Sequence, residues 1–332
     1  MTPNRCRNIT ISLFWFLIIF ALSGCNPKVI EGNENEIFFK EEKGILTFYK
    51  AEKPILSYQT FGVIPSEGIP EVYLRGGYIH PVYTPLGKII TGDYPYNHLH
   101  HHGIWAAWTK TQFEGRMPDF WNMGDSTGTV KYVRLDSVYL GPKYSGFQAT
   151  HHYVDLSEPD KKPQIVLEEQ CNIKIYNLPK SLPYFIFDLN IFQLNVSSSI
   201  LHLPKYHYGG MGFRGAESWD GEENTEFMTS EGKTRIDGNE TRGNWCHIGG
   251  LVDDEWVGIT IMNHITNFRS PQPMRIHPTE PFFCFAPSQM GDWSIEPSSP
   301  YQARYRFIVY DGKPDTVLIN RLWADYIDNQ PF

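Results

Sequence analysis

Apolar residues along most of this chain recur at every second position, the spacing that places side chains on one face of a β-strand. The segment Tyr301–Tyr310 shows this most clearly, because apolar side chains alternate there with one glutamine and two arginines. Gln164–Tyr176 repeats the pattern, but Glu169 falls on its apolar face. The other predicted strands are Ile45–Tyr49, Ile55–Thr60, Val130–Leu140, Phe147–Val154, Tyr184–Leu194, Trp256–Met262 and Pro281–Phe285.

Turn-forming residues separate these segments, as at Gly141–Pro142 and Asp311–Gly312. A helix is predicted only at Pro314–Asp328, which begins with proline and carries apolar residues at helical spacing. Many short strands with one helix predict an all-β fold. The expected architecture is a large antiparallel β-sandwich, in simple form or as a galactose-mutarotase-like supersandwich, with a short C-terminal helix.

The first residues have the pattern of an export signal. Arg5 and Arg7 supply a positive start, Ile9–Phe20 is an apolar core, and Leu22–Cys25 ends the segment with small residues before a cysteine. The apolar core is shorter than the roughly 20 residues of a membrane-spanning helix. The ending Leu-Ser-Gly-Cys resembles a lipobox, which predicts that residues 1–24 are removed and that Cys25 is lipidated. An uncleaved anchor helix is the alternative.

Residues 25–38 follow as a lipidated cysteine and a flexible tether, because this segment is polar and rich in Asn and Glu. The rest of the chain, residues 39–332, is expected to form one β-sandwich domain. Such a protein would be held at the bacterial cell envelope, at the outer membrane on its periplasmic or surface side. Its contact with the membrane would be through the lipid on Cys25 alone.

Composition narrows the range of partners. Hydrophobic residues make up 41% and aromatic residues 15% of the chain, which indicates a well-packed globular body. The net charge is −8 and no block of Lys or Arg is present, so nucleic acid is not an expected partner. Cys171, Cys246 and Cys284 are an odd number and cannot all form disulfides within the chain. One disulfide between two of them is an alternative to three free thiols.

The densest cluster of reactive side chains is the segment Asp93–Trp105, in which His98, His100, His101 and His102 occupy four of five consecutive positions. Histidine serves as a general acid or base near neutral pH and as a metal ligand. The Pro, Asn and Gly residues of this segment indicate a loop, where functional residues concentrate. No cofactor is predicted, although a divalent metal at this loop is an alternative.

Two later segments combine histidine with arginine. In His202–Arg214, three glycines alternate with other residues between His207 and Arg214, so the backbone can approach a ligand closely. The segment Asn263–Pro271 follows an apolar strand, and we expect it to line the same cleft. Its candidate side chains are His264, Asn267 and Arg269.

Carboxylates and tryptophans supply the remaining candidates. Asp119, Trp121 and Asn122 lie shortly after the histidine loop, and such a set suits a sugar, because rings stack on Trp while hydroxyl groups bond to Asp and Asn. Trp105 ends the loop and could stack in the same way. Glu169 on an apolar strand face is either paired or held in a pocket where burial raises its pKa.

Taken in order, these motifs resemble the PmoA-like family of bacterial proteins, a domain of unknown function labelled methane oxygenase PmoA. Asn97 and His102 stand where that pattern usually has Asp and Arg. The resemblance spans roughly residues 45–312. The segments that carry it are Asp93–Trp105, Asp119–Trp121, His207–Arg214, Asn263–Pro271 and Tyr305–Arg306.

The methane oxygenase label disagrees with the sequence, because a membrane methane monooxygenase subunit needs several spanning helices. No apolar run of about 20 residues follows Cys25. Members of the family tend to accompany sugar-processing genes, so the resemblance implies a role in carbohydrate metabolism. It brings no established catalytic residues.

Together these patterns predict an exported lipoprotein enzyme that acts on carbohydrate by His/carboxylate acid–base chemistry, as a hydrolase, lyase or epimerase. A non-catalytic sugar-binding lipoprotein and a His-ligated metal enzyme are the alternatives. The predicted catalytic residues are His98, His101 and His207, with Asp119 or Glu169 as the carboxylate. The predicted substrate-binding residues are Trp105, Trp121, Asn122, Arg214, His264, Asn267 and Arg269.

Overall fold

The computed structural model describes residues 28–30, 36–61 and 68–328, and only the backbone of residues 28–30. The predicted signal segment 1–24, Cys25 and most of the predicted tether lie outside these ranges. Among the described residues, no helix combines the length and the apolar character needed to cross a membrane.

The described residues form nineteen β-strands and two α-helices. The strands are β1 (Lys28–Ile30), β2 (Ile37–Glu42), β3 (Ile45–Lys50), β4 (Lys53–Gln59), β5 (Tyr78–Val82), β6 (Ile104–Ala107), β7 (Gly128–Tyr139), β8 (Tyr144–Asp155), β9 (Gln164–Tyr176), β10 (Tyr184–Asn195), β11 (Leu201–Leu203), β12 (Gly210–Arg214), β13 (Glu226–Thr229), β14 (Trp245–Val252), β15 (Glu255–Asn263), β16 (Met274–Ile276), β17 (Phe282–Phe285), β18 (Trp293–Ile295) and β19 (Pro300–Asp311). The helices are α1 (Arg235–Gly238) and α2 (Thr316–Asp328).

Most strands belong to two large sheets. The first sheet has nine strands in the order β1-β2-β3-β4-β5-β6-β12-β17-β16, and the second has eight in the order β13-β14-β15-β19-β10-β9-β8-β7. Strands β11 and β18 form a separate pair. Neighbouring strands within each sheet run antiparallel. The predicted all-β fold with two antiparallel sheets and a short C-terminal helix is therefore confirmed.

The main core lies between the two sheets. Phe285 of the first sheet stacks on Tyr305 of the second, with ring centroids 5.5 Å apart, and Phe48 stacks on Phe147 across the same gap at 5.9 Å. The alternation predicted for Tyr301–Tyr310 explains how β19 contributes to this core. Every second residue is buried there, namely Tyr301, Ala303, Tyr305, Phe307 and Val309. The even-numbered residues of β19 therefore face outward.

Helix α2 covers part of that outward face. Its buried residues Ile319 and Tyr326 pack in a second, smaller apolar cluster with Ile308, Met262 and Trp245. The helix thus buries outward-facing apolar residues of β15 and β19 that would otherwise be exposed. Its start at Thr316 lies two residues after the predicted start.

Several strands were not predicted, and β1 and β14 show two of the reasons. Strand β1 lies inside the segment 25–38, which was expected to be a flexible tether throughout; its backbone pairs with β2 at the sheet edge, so it needs little apolar surface of its own. Strand β14 was not predicted, because it contains two consecutive glycines at Gly249 and Gly250. A Cβ at Gly250 would lie 2.4 Å from the backbone oxygen of Asn224, so close packing requires glycine there.

Candidate functional site

A cavity of about 310 Å³ lies over the outer face of the first sheet. The sheet order brings β6, β12, β17 and β16 side by side, although they are far apart in the chain. Gly212 pairs with Trp105 on one side and with Cys284 on the other, and Cys284 pairs with Arg275. Side chains alternate between the two faces of a strand, and the neighbours of these four residues face the core. Trp105, Gly212, Cys284 and Arg275 therefore face outward beneath the cavity.

The cavity gathers residues from four separate segments of the chain. Five of them are predicted site residues, namely His98, His101, Trp121, Asn122 and His207. The other lining residues, which sequence reasoning did not select, are His100, Tyr208, Arg275, His277 and Phe282. The histidine loop and the glycine-rich segment therefore border one hollow, and these are two of the three segments that were expected to share it.

The histidine loop is folded back on itself rather than extended. The His98 amide donates to the carbonyl oxygen of Pro95 at 2.9 Å, and the His101 amide donates to that of His98 at 2.8 Å. His102 turns away from the cavity, where its Nδ1 bonds to Asp93 at 2.8 Å and closes the base of the loop. These turns aim His98, His100 and His101 into the cavity together.

Gly103 ends the loop in the left-handed region, with φ of +41°. A Cβ there would lie 2.1 Å from the carbonyl oxygen of Ile79. The close approach of β5 to the end of the loop therefore requires glycine.

The cavity imidazoles are neutral at pH 7. Burial, with the neighbouring imidazole of His98, lowers the pKa of His100 to about 4, and burial beside Arg275 lowers the pKa of His277 to about 4. Burial also lowers the pKa of His101 far below its ordinary value. A neutral imidazole has one N–H donor and one free lone pair, so each ring can both give and accept a hydrogen bond.

Fixed hydrogen bonds orient the other polar groups of the lining. His277 Nδ1 accepts from the backbone amides of Thr279 and Glu280 at 3.3 and 3.0 Å, which places the proton of the neutral ring on Nε2. Tyr208 donates its hydroxyl to Asn122 Oδ1 at 3.0 Å. Arg275 uses only Nη1 in hydrogen bonds among the described residues, which leaves the rest of its guanidinium for a ligand.

The two tryptophans differ in position. Trp121 lines the cavity, whereas Trp105 lies behind it, packed against Trp121 at 4.9 Å and His101 at 5.2 Å between ring centroids. A Cβ at Gly212 would lie 2.7 Å from Trp121 and 3.0 Å from Trp105, so glycine makes room for both rings. The expectation that Trp105 stacks directly on a substrate is wrong, because neighbouring rings cover its faces.

Arg214 lies behind the histidines and does not line the cavity. The side chain is 1% exposed and makes ion pairs with Asp220 at 2.5 Å and with Glu280 at 3.1 Å. Glu280 also accepts from Asn97 Nδ2 at 2.8 Å, which ties the histidine loop to the turn before β17. Arg214 therefore stabilises the wall of the cavity. Burial lowers the pKa of His98, and the positive charge of Arg214 lowers it further.

Asp119 supports the lining from behind. Its Oδ1 accepts from the backbone amides of Trp121 and Asn122 at 3.0 and 2.9 Å, and its Oδ2 accepts from Thr109 at 2.9 Å and from Asn122 Nδ2 at 2.7 Å. All of its strong acceptor positions are thus occupied by the protein. It positions Asn122 and does not reach the cavity as a catalytic carboxylate.

Glu169 lies in the core between the sheets, away from the cavity. It accepts from His151 at 2.8 Å, from Tyr153 at 2.8 Å and from Gln193 at 2.6 Å. Burial alone would raise the pKa of Glu169, but the hydrogen bonds from these partners and the nearby His151 lower it below its usual value. The side chain is a paired core carboxylate, because its register neighbours in β8 and β10 both supply hydrogen-bond donors.

None of the candidates from Asn263–Pro271 lines the histidine cavity. Asn267 Nδ2 and Oδ1 bond to the backbone of Arg304, each at 2.8 Å. Arg269 donates to the carbonyl oxygens of Pro287 and Gly291, both at 2.7 Å. His264 lines a different cavity on the second sheet. The expected shared cleft is wrong for this segment, because its polar atoms hold backbone turns in place.

Within the described residues, no group of three or more His, Cys, Asp or Glu side chains is arranged to hold a metal ion. The stacked packing of the rings explains this for the loop, since His101 lies face to face with both His98 and Phe282. Rings stacked in this way do not point their nitrogen atoms at one shared centre.

The chain belongs to a family of unknown function, DUF6807, whose model matches residues 46–324. No curated protein matches the chain. Among solved structures, it is similar to the heparan sulfate lyase HepC from Pedobacter heparinus, with 10% identity over 84% of this chain and a TM-score of 0.36; the chain covers 36% of the length of that lyase.

Two further solved structures are similar over most of both chains. The Slr1438 protein from Synechocystis sp. PCC 6803 shares 11% identity over 90% of this chain and 100% of its own, with a TM-score of 0.36. A proposed aldose 1-epimerase from Klebsiella pneumoniae subsp. pneumoniae shares 9% identity over 92% of this chain and 87% of its own, with a TM-score of 0.34.

Proposed function

We propose that this protein binds a carbohydrate in the histidine cavity and acts on it by acid–base chemistry of the cavity imidazoles. The observation that carries the proposal is the convergence of five imidazoles with Asn122, Tyr208 and Arg275 in one hollow. Its volume of about 310 Å³ lies at the lower end of small-molecule sites and suits one sugar unit or the end of a chain.

The chemistry follows from the protonation states. A neutral ring can accept a proton from a sugar hydroxyl through its free nitrogen and become an imidazolium. A second neutral ring keeps its proton and donates a hydrogen bond from its N–H to the oxygen that gains charge. Burial raises the pKa of Tyr208, so its hydroxyl stays protonated. Its hydrogen is donated to Asn122 Oδ1, which leaves the lone pairs of the oxygen as acceptors for a sugar hydroxyl. His98, His100 and His207 are half-buried in the lining and are the proposed proton carriers.

A panel of oligosaccharides, incubated with the protein and read by mass spectrometry, tests the proposal. We expect turnover by the native chain, loss of turnover in His207→Ala, and full turnover in His152→Ala. His152 is a matched control, because it pairs with Glu168 on the opposite sheet, outside the cavity. Saturable binding without product would instead identify a carbohydrate-binding protein, and absence of both binding and turnover would refute the proposal.

We also propose that the protein is anchored to the membrane by a lipid on Cys25, and that it is a member of the PmoA-like proteins. Lipidation of Cys25 would hold the sugar-processing domain at the cell envelope. A Cys25→Ser variant should move from the membrane fraction to the soluble fraction, and the N-terminal peptide should lose its acyl mass in mass spectrometry.

Elemental analysis of untagged protein tests the metal-dependent alternative, which needs stoichiometric metal.

A further inference from the structure

A row of polar side chains crosses the outer face of the second sheet. In the strand register Gln148 is the direct neighbour of Asn172, Asn172 of Asn190, and Asn190 of Arg304. Neighbouring strands lie about 4.8 Å apart, so three amides and one guanidinium stand side by side at that spacing. We call these four residues the amide row.

The amide row forms the floor of a cavity of about 280 Å³. His264 lines one part of the cavity, and Tyr326 of helix α2 lines another. The first sheet carries the histidine cavity on its own outer face, so the two cavities lie on opposite sides of the sandwich. A ligand of the amide row is therefore independent of the proposed sugar chemistry.

The amide row is available for a ligand because its side chains make no hydrogen bond among the described residues, although all four are half-buried. The next row is different. There Arg306 donates to both oxygens of Asp188 at 2.7 and 2.9 Å, and Tyr176 donates to the same carboxylate at 2.8 Å. The amide row thus differs from its neighbour, because its donors and acceptors are not engaged by the described residues and border the cavity.

The free groups define what a ligand of the amide row must offer. Each amide has two N–H donors and two acceptor lone pairs, a combination that suits a series of hydroxyl groups. The charges of Asp188 and Arg306 cancel within their ion pair, whereas the guanidinium of Arg304 has no carboxylate partner among the described residues. A planar guanidinium binds a carboxylate through two parallel hydrogen bonds.

We propose that the amide row is a second saccharide-binding site, which takes an acidic saccharide. Asn172, Asn190 and Gln148 would bond to its hydroxyl groups, and Arg304 would pair with the carboxylate of a uronic acid unit. Such a site would hold an acidic glycan at the surface of the protein while the histidine cavity faces the opposite side.

A glycan array of uronic-acid oligosaccharides and neutral gluco- and xylo-oligosaccharides tests this proposal, with affinities of the best binder measured by titration calorimetry. The native protein should retain acidic glycans in preference to neutral ones. Arg304→Gln should weaken that binding about tenfold, and Asn190→Asp should weaken it at least as much, because it places a negative charge beside the bound carboxylate.

Matched variants separate this site from the histidine cavity. Lys131→Gln removes one positive charge from an exposed position of strand β7 in the same sheet and should leave binding unchanged. His207→Ala should also leave it unchanged, even if it abolishes turnover. Acidic glycan binding that is equal in Arg304→Gln and the native chain would overturn the proposal, as would an absence of binding to every glycan of the array.

Discussion

The imidazole ring of His98 stacks on that of His101, with centroids 4.8 Å apart and planes within 8°. The Nδ1 atoms of both rings are buried without a hydrogen-bond partner. Burial lowers the pKa of both rings, and two positive charges at this distance would repel, so the stack stays neutral. His101 is 3% exposed and packs in the wall of the cavity, whereas His98 is half-buried and is open to a ligand.

Replacement of the two kinds of cavity histidine should separate stability from function. His101→Ala removes a ring packed between His98 and Phe282 and should lower the free energy of unfolding by about 2–3 kcal/mol. His207→Ala removes a half-buried ring and should change stability by less than about 0.5 kcal/mol. Denaturant titration of both variants measures this. Equal stability of the two would contradict the packing role of His101.

Asp119→Asn should impair both folding and ligand binding. The amide would present an N–H group to Thr109 or to the backbone amides it now accepts from, and about 1–3 kcal/mol of stability should be lost. Asn122 would lose its orientation, so KM for a turned-over sugar should rise more than kcat falls. Asp125→Asn, in the same loop but exposed, is the control and should change neither quantity.

Glu169→Gln should destabilise the protein without changing sugar binding in the cavity. The substitution leaves His151 and Tyr153 without their carboxylate partner in the core, at a cost of about 2–4 kcal/mol. Glu168→Gln is the matched control, because it affects an outward pair with His152 worth less than about 1 kcal/mol. Lost turnover at unchanged stability would instead identify Glu169 as a catalytic residue.

Acid should weaken the folded state through the cavity histidines. The pKa of His100 and that of His277 are both about 4 in the folded protein because of burial, against an ordinary 6.5. Between these values the unfolded chain binds more protons, so stability is fully present above about pH 6.5 and falls as the pH drops toward 4. Unfolding measured against pH should show this slope, and His277→Gln should make it shallower. An unchanged slope in that variant would contradict the lowered pKa.

The strands were predictable because alternation of apolar and polar residues directly reports burial of one face. Gln164–Tyr176 was predicted with the bounds that β9 has, and Tyr301–Tyr310 differs from β19 by one residue at each end. The short strands β6, β12 and β16 were not predicted, since three to five residues carry too little periodicity. Those short strands are the ones that position the histidine cavity.

The candidate site was only partly predictable. His98, His101 and His207 stood out because their segments are rich in histidine or glycine, and the cavity brings them together. His277 is a single histidine between two short strands and gave no signal. Asp119 could not be recognised as a support for Asn122, because that role depends on a hydrogen bond to a side chain and two backbone amides.

The sequence by itself determined the two-sheet architecture and the C-terminal helix, because both follow from spacing within short stretches of chain. It also marked the histidine loop, whose composition is unusual wherever it lies. Only the tertiary structure decided which polar residues share a cavity. The order β6-β12-β17-β16 joins segments more than 100 residues apart, and that order arises from packing between sheets, which no local pattern encodes.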